Sequence, residues 1–152
     1  MIIRLATADD YHGAVLLQRA VMPNETRYHY AGNICQPGTL NLVADRSDAV
    51  VGYISVLVGQ ADPNGAHLWQ RLRPYVAFMG VLPDSQGHGV GTGLIRRASN
   101  MVLPSDQPRL WLECNQDVAN FYERLGFVSI QPDMVRGRVG LSPKGLLYCL
   151  YD

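Results

Sequence analysis

The stretch Val81-Leu82-Pro83-Asp84-Ser85-Gln86-Gly87-His88-Gly89-Val90-Gly91-Thr92-Gly93 decides the fold. Before it, the apolar run Tyr75–Leu82 reads as a strand that Pro83 ends. After it, Gly91–Leu103 reads as a helix. Leu94, Ile95, Ala98 and Val102 share one face, and Arg96 and Arg97 lie off it. Between strand and helix, glycines alternate with other residues. They let the backbone turn tightly and let its N–H groups converge without side chains in the way. A helix start adds unpaired amides and the positive end of a dipole. The physical expectation is an anion cradle, suited to a phosphate or pyrophosphate. The plain alternative is a loop that only turns the chain, which would not need so many glycines. Two known phosphate motifs fail on spacing. No lysine follows any of these glycines, so the Gly-x-x-x-x-Gly-Lys pattern is absent. In Gly-x-Gly-x-x-Gly, the last position falls on Thr92 from Gly87 and on Leu94 from Gly89. Glu113, about 20 residues on, is placed where a ribose-binding acid of a dinucleotide site would stand.

The remaining elements read outward from this crossover. Ile2–Leu5 is a short strand. Thr7 with Asp10 three residues later makes a helix start, followed by the stripe Ala14, Val15, Leu17, Val21 and Met22 up to Pro23. Residues 24–37 fit either a short helix or a loop. Leu40–Ala44 and Val50–Val58 form a hairpin around Asp45-Arg46-Ser47-Asp48. Residues 60–74 are a polar connection. Arg109–Cys114 is a strand. Asp117–Leu125 is a helix carrying Val118, Phe121, Tyr122 and Leu125 on one face, closed by Gly126. Val128–Ile130 and Leu146–Tyr151 are closing strands. One β-α-β crossover inside an antiparallel meander predicts a mixed α/β sheet rather than a doubly wound one.

Composition narrows the function classes. The 152 residues suit one domain spanning 1–152, able to bury roughly 70% of its unfolded surface without disulfides or a structural metal. Thirteen basic residues balance thirteen acidic ones. The balance holds in each half, with six of each sign in residues 1–76 and seven in 77–152. No basic half exists to track a phosphate backbone, so no nucleic-acid partner is expected. Cys35, Cys114 and Cys149 are widely spaced and odd in number, which predicts ordinary buried thiols in a reducing, cytoplasmic setting and no metal site. No signal peptide or membrane-length apolar run stands out, so no membrane association is expected.

A further pattern does fit the central loop. Gln86, Gly89 and Gly91 match Gln/Arg-x-x-Gly-x-Gly/Ala, with Val81-x-Pro83 just before. Independently, Leu110-Trp111-Leu112-Glu113, then Asn115, Ala119 and Phe121-Tyr122-Glu123-Arg124-Leu125-Gly126-Phe127, form a second motif. Together they resemble the Gcn5-related N-acetyltransferase (GNAT) family over nearly the whole chain, least in residues 23–37 and 61–74. The resemblance implies an acetyl-CoA-dependent N-acetyltransferase. It implies that Met79 and Val81 offer backbone groups to pantetheine and that the amides of Gln86, Gly87, His88, Gly89, Val90 and Gly91 hold the pyrophosphate. Thr92 adds a hydroxyl in the first helical turn, and Asn115 helps hold the cofactor. It also implies Tyr122 as the acid that protonates the leaving sulfur, the Met79 N–H as oxyanion donor and Glu113 as base through water. Without the resemblance, Tyr122 on its apolar face reads as core. The resemblance also lets His88 touch a phosphate and Arg96 and Arg97 reach the 3′-phosphate of CoA; the alternative is a solvated loop for His88 and a solvated helix face for the arginines. Family members often dimerise, so a homodimer is a further expectation.

The acceptor is a small-molecule or protein amine that the sequence leaves open. Residues 23–37, 61–74 and 131–145 are expected to build its groove, with Tyr28, Tyr30, His67, Trp69 and Arg71 as candidate lining and Gly137, Gly140 and Gly145 in a loop near Arg136 and Arg138. Two rival readings stay open here: a non-catalytic acyl-CoA-binding module and a nucleotide-dependent oxidoreductase.

Overall fold

In a computed structural model, residues 1–102, 108–130 and 145–151 are described. Seven strands form one sheet: β1 (Ile2–Leu5), β2 (Thr39–Arg46), β3 (Ala49–Leu57), β4 (Tyr75–Val81), β5 (Leu110–Cys114), β6 (Val128–Ile130) and β7 (Leu146–Leu150). Their order is β1-β2-β3-β4-β5-β7-β6. Only β4 and β5 are parallel neighbours; the other pairs are antiparallel. The helices are α1 (Tyr11–Val21), α2 (Leu68–Arg71), α3 (Val90–Met101) and α4 (Gln116–Arg124). The mixed α/β expectation therefore holds.

Strand alternation distributes the core. Leu42, Ala44, Ile54 and Val56 point to one face, where Leu94, Ile95 and Ala98 of α3 and Ala119 and Tyr122 of α4 cover them. Val43, Tyr53 and Phe78 point to the other, against Ala14, Val15 and Leu17 of α1. Full burial of Leu94 and Ile95 contributes about 1.5–3 kcal/mol each. The approach of α3 to β3 is close because Gly52 has no side chain: a Cβ there would lie 2.7 Å from Val90 and 2.9 Å from Leu94.

The structure tightens several expectations. The hairpin closes with two residues rather than four: Ser47 and Asp48 take φ of 52° and 64°, and Arg46 faces Ala49. Residues 24–37 contain a 3-10 turn, Tyr30–Asn33. The 60–74 connection holds the one-turn α2, which spacing alone did not reveal. Helix α3 ends at Met101, and Leu103 lies outside the described residues, as do Gly137, Gly140, Arg136 and Arg138. The expectation of three buried thiols is corrected. Cys149 is buried, Cys114 is half-buried and Cys35 is exposed, at a turn with φ of 66°.

Asp10 ties the first strand to the first helix. It accepts Arg4 Nη1 at 2.8 Å, Arg4 Nη2 at 2.9 Å and the Thr7 N–H at 2.8 Å, and Arg4 also reaches Asp45 at 3.1 Å. The Arg4 hydrogen bond holds the Asp10 carboxyl below the usual carboxylate range. A carboxyl lowered in the folded state stabilises it above the unfolded pKa, about 4, and loses that contribution as pH falls through the folded value. Asp10→Asn should cost about 1–2 kcal/mol at pH 7, since Arg4 is part-exposed and keeps Asp45. Thermal melts should show the gap between wild type and variant narrowing towards pH 3. An equal gap at both pH values would contradict the assignment.

Candidate active site

The site begins with an interruption of the sheet. Strands β4 and β5 share one register pair, Tyr75 with Trp111, closed by the Trp111 N–H donating to Pro74 O at 2.8 Å. Beyond Tyr75 the strands part. On its other edge β4 stays paired with β3, but the register passes from Ser55–Phe78 to Val56–Val76 and leaves Ala77 as a bulge. Leu82 donates to Val51 O at 2.9 Å. By the alternation of an antiparallel ladder, Gly80 also faces β3, and the backbone groups of Met79 and Val81 face the gap.

The glycine loop closes one end of that gap. After Pro83–Ser85, a 3-10 turn, Gly87 and Gly89 adopt φ of 78° and 82°. A Cβ at either would meet nothing within 4 Å, so the space in front of both is open. The Gly93 N–H donates to Gly89 O at 2.9 Å, the first bond of α3. Among the described residues, no backbone carbonyl accepts the amides of Gly87 through Thr92. Gln86 differs: its N–H donates to Pro83 O at 3.3 Å, and its side-chain Nε2 donates to Val81 O at 3.0 Å. The free amides therefore begin one residue later than expected. Gln86 braces the loop against the end of β4 and takes up the Val81 carbonyl.

A cavity of about 610 Å³ runs from this loop along β4 to α4. Its walls include Met79, Val81, Gly87, Gly89, Phe121 and Tyr122. Tyr122 is 7% exposed, and its ring packs edge-on against Phe121 (5.0 Å) and Phe127 (5.5 Å). Its hydroxyl has no hydrogen-bond partner among the described residues. Burial pushes its pKa well above the usual phenol value, with Cys114 adding a smaller push. The core reading of Tyr122 holds, and the residue also lines the cavity.

Other expected residues fall elsewhere. His88, Arg96 and Arg97 are exposed and do not line the cavity; Arg124 does. Asn115 stands at the start of α4, exposed, with no side-chain capping bond. Glu113 lines neither this cavity nor the next. It accepts the Tyr75 hydroxyl at 3.0 Å. That contact gives it a partner other than a ribose near the loop and leaves the dinucleotide reading without support. Val118 and Phe121 were missed because the α4 stripe, read alone, looks like a core face, and Arg124 because it stands off that stripe. Val118 is in fact 45% exposed and borders the cavity.

A second cavity of about 810 Å³ lies at the other end of β4, where Tyr75 and Ala77 form part of its wall. Tyr28, Tyr30 and Trp69 line it as expected; His67 and Arg71 do not, and Arg73 does. Along β4 the two cavities approach within two residues, Ala77 in one and Met79 in the other. Among the described residues there is no cluster of three or more metal-ligating side chains, and no helix is long and apolar enough to cross a membrane.

Residues 37–129 match the family model described as an acetyltransferase (GNAT) domain. The chain is similar to an N-alpha-acetyltransferase of Sulfolobus acidocaldarius, 24% identical over 135 residues covering 85% of this chain and 80% of that one. Its fold is similar to Arabidopsis thaliana NAA60 in complex with a bisubstrate analogue, with a TM-score of 0.69 at 15% identity over 99% of this chain and 97% of that one. It is also similar to an aminoglycoside 6'-N-acetyltransferase complexed with coenzyme A, with a TM-score of 0.64 at 15% identity over 98% and 95% of the two chains.

Proposed function

The chain belongs to the GNAT acetyltransferase family, and from that premise we propose that it moves an acetyl group from acetyl-CoA to a primary amine by direct attack. The observation that carries this reading is the run of free amides from Gly87 to Thr92, opening on a cavity that ends at the Tyr122 ring. Backbone N–H groups at a helix start suit a pyrophosphate and need no net positive charge. When bound, acetyl-CoA supplies the activated acyl group as a thioester. The Met79 C=O and the Val81 N–H orient the pantetheine arm in place of the missing strand partner. The Met79 N–H is the donor aimed at the reacting carbonyl oxygen. Tyr122 keeps its proton at neutral pH and gives it to the departing sulfur. On the acceptor side, Tyr75 lines the second cavity and its hydroxyl donates to Glu113, which makes Glu113 the group to take up the amine proton through that hydroxyl.

The test is release of free thiol from acetyl-CoA in the presence of an amine panel, with acetyl-CoA binding measured by calorimetry. Binding without release for any amine would leave a binding module. No binding would remove the reading altogether. Because burial raises the Tyr122 pKa, its proton is retained well past the usual phenol value of ~10. The rate should rise with pH as the acceptor amine deprotonates and show no descending limb up to about pH 10. A fall between pH 8 and 9 in the pH–rate profile, with the protein still folded, would contradict Tyr122 as the acid.

A further inference from the structure

The second cavity has a character of its own. Its walls are aromatic, and they are held rigidly. Tyr30 stacks on Phe78 at 5.2 Å, and Tyr28 meets Tyr30 edge-on at 4.8 Å. The buried Gln18 fixes the backbone of that segment, donating to Tyr28 O at 2.6 Å and accepting the Tyr30 N–H at 2.8 Å. The Tyr28 hydroxyl donates to Asn33 Oδ1 at 2.8 Å, and Asn33 Nδ2 in turn donates to Ser55 at 3.0 Å. Trp69, 45% exposed, and Tyr75 add further aromatic surface.

Charge in this cavity is one-sided. Arg73 is the single ionised side chain among the described lining residues. Nη1 donates to the backbone carbonyls of Trp69 and Leu72, so the guanidinium is anchored by neutral groups. No carboxylate among the described residues pairs with it, and its buried Nε has no hydrogen-bond partner. Burial alone lowers its pKa. A part-buried guanidinium with unused donors is costly unless an anion completes it. An acceptor arriving as a bare cation would instead meet a positive wall.

We propose that the acceptor is a small amine bearing a carboxylate on an aromatic or large apolar body, of the aromatic amino-acid class, with Arg73 as the residue that selects the carboxylate. This rests on the acetyltransferase reading and specifies its second substrate. The aromatic faces of Tyr28, Tyr30 and Trp69 take the body. Arg73 takes the carboxylate. The amine is left towards Ala77, beside the cofactor cavity.

The experiment compares L-phenylalanine with phenethylamine, which differ by that carboxylate, as acceptors with saturating acetyl-CoA. The expected result is a kcat/KM for L-phenylalanine higher by roughly tenfold or more after correction for amine pKa, falling towards parity in Arg73→Gln. Equal or better use of phenethylamine by the wild type overturns the proposal. Arg73 also bonds backbone carbonyls, so the wild-type comparison stands by itself if the variant fails to fold. If neither amine elicits thiol release, saturation-transfer NMR on the CoA-saturated protein compares 3-phenylpropionate with 3-phenyl-1-propanol. Preferential binding of the acid supports the proposal, and its absence overturns it. Failure of the acetyltransferase reading appears separately, as no thiol release with any amine of the wider panel.

Discussion

Tyr122→Phe should cut turnover by about 10²–10³-fold while changing acetyl-CoA affinity by no more than about twofold. The substitution removes one oxygen and little else. The ring contacts with Phe121 and Phe127 survive, as does the burial that makes residue 122 part of the core. No hydrogen bond among the described residues is lost, so stability should stay within about 1 kcal/mol of wild type. What disappears is the phenolic proton, present at neutral pH and held to still higher pH by burial. Thiol release under saturating substrates gives kcat, and calorimetry gives the affinity. A similar loss in both would mean that Tyr122 shapes the cavity and does not act on the reaction. Unchanged turnover would remove it from the reaction entirely.

The second large effect is expected at Gly89. Gly89→Val should weaken acetyl-CoA binding by about 100-fold or more. Two causes act together. At φ of 82° a β-branched residue is strained by about 1–3 kcal/mol. Its side chain also enters space where no protein atom lies within 4 Å of a Cβ, in front of the free amides. Gly126 separates the two causes. It has φ of 98° but caps the end of α4, and a Cβ there meets only Leu150, at 3.5 Å. Gly126→Ala and Gly89→Ala should lose comparable stability in denaturant titrations, while only the latter loses affinity for acetyl-CoA. Equal affinities in these two variants, or wild-type affinity in Gly89→Val, would refute the cradle.

The crossover was legible in the sequence because its signals are local. A proline ends β4, glycines supply the positive φ at 87 and 89, and a helical stripe follows. The sheet class was readable for the same reason: the hairpin and the crossover are set by turns. The bulge at Ala77 leaves no such mark, since an alanine in a run of strand formers carries no sign of lost pairing. The strand order at β5-β7-β6 arises from long-range pairing that no local pattern encodes. Spacing on α4 identified the apolar face but not that part of it would border a gap, so Tyr122 read as core or acid and Val118 as core. The second cavity was half legible. Tyr28, Tyr30 and Trp69 stood out as aromatic residues in polar stretches, whereas Tyr75 read as strand, Arg73 enters through the turn that precedes β4, and Arg71, two residues earlier, instead donates to Gly65 O at 2.6 Å.

The single pairing of β4 with β5 also bears on how the molecule coheres. One ladder joins β1 through β4 and another joins β5, β7 and β6, and the two meet at Tyr75 and Trp111. The sheet is thus two hydrogen-bonded blocks joined at one register pair, with α3 packed on the first block and α4 on β7 of the second. A bound molecule that satisfied the Met79 and Val81 backbone would act as the missing strand between the blocks. Substrate loading would then be a completion of the fold as much as an act of recognition, and product departure would reopen the seam on every cycle.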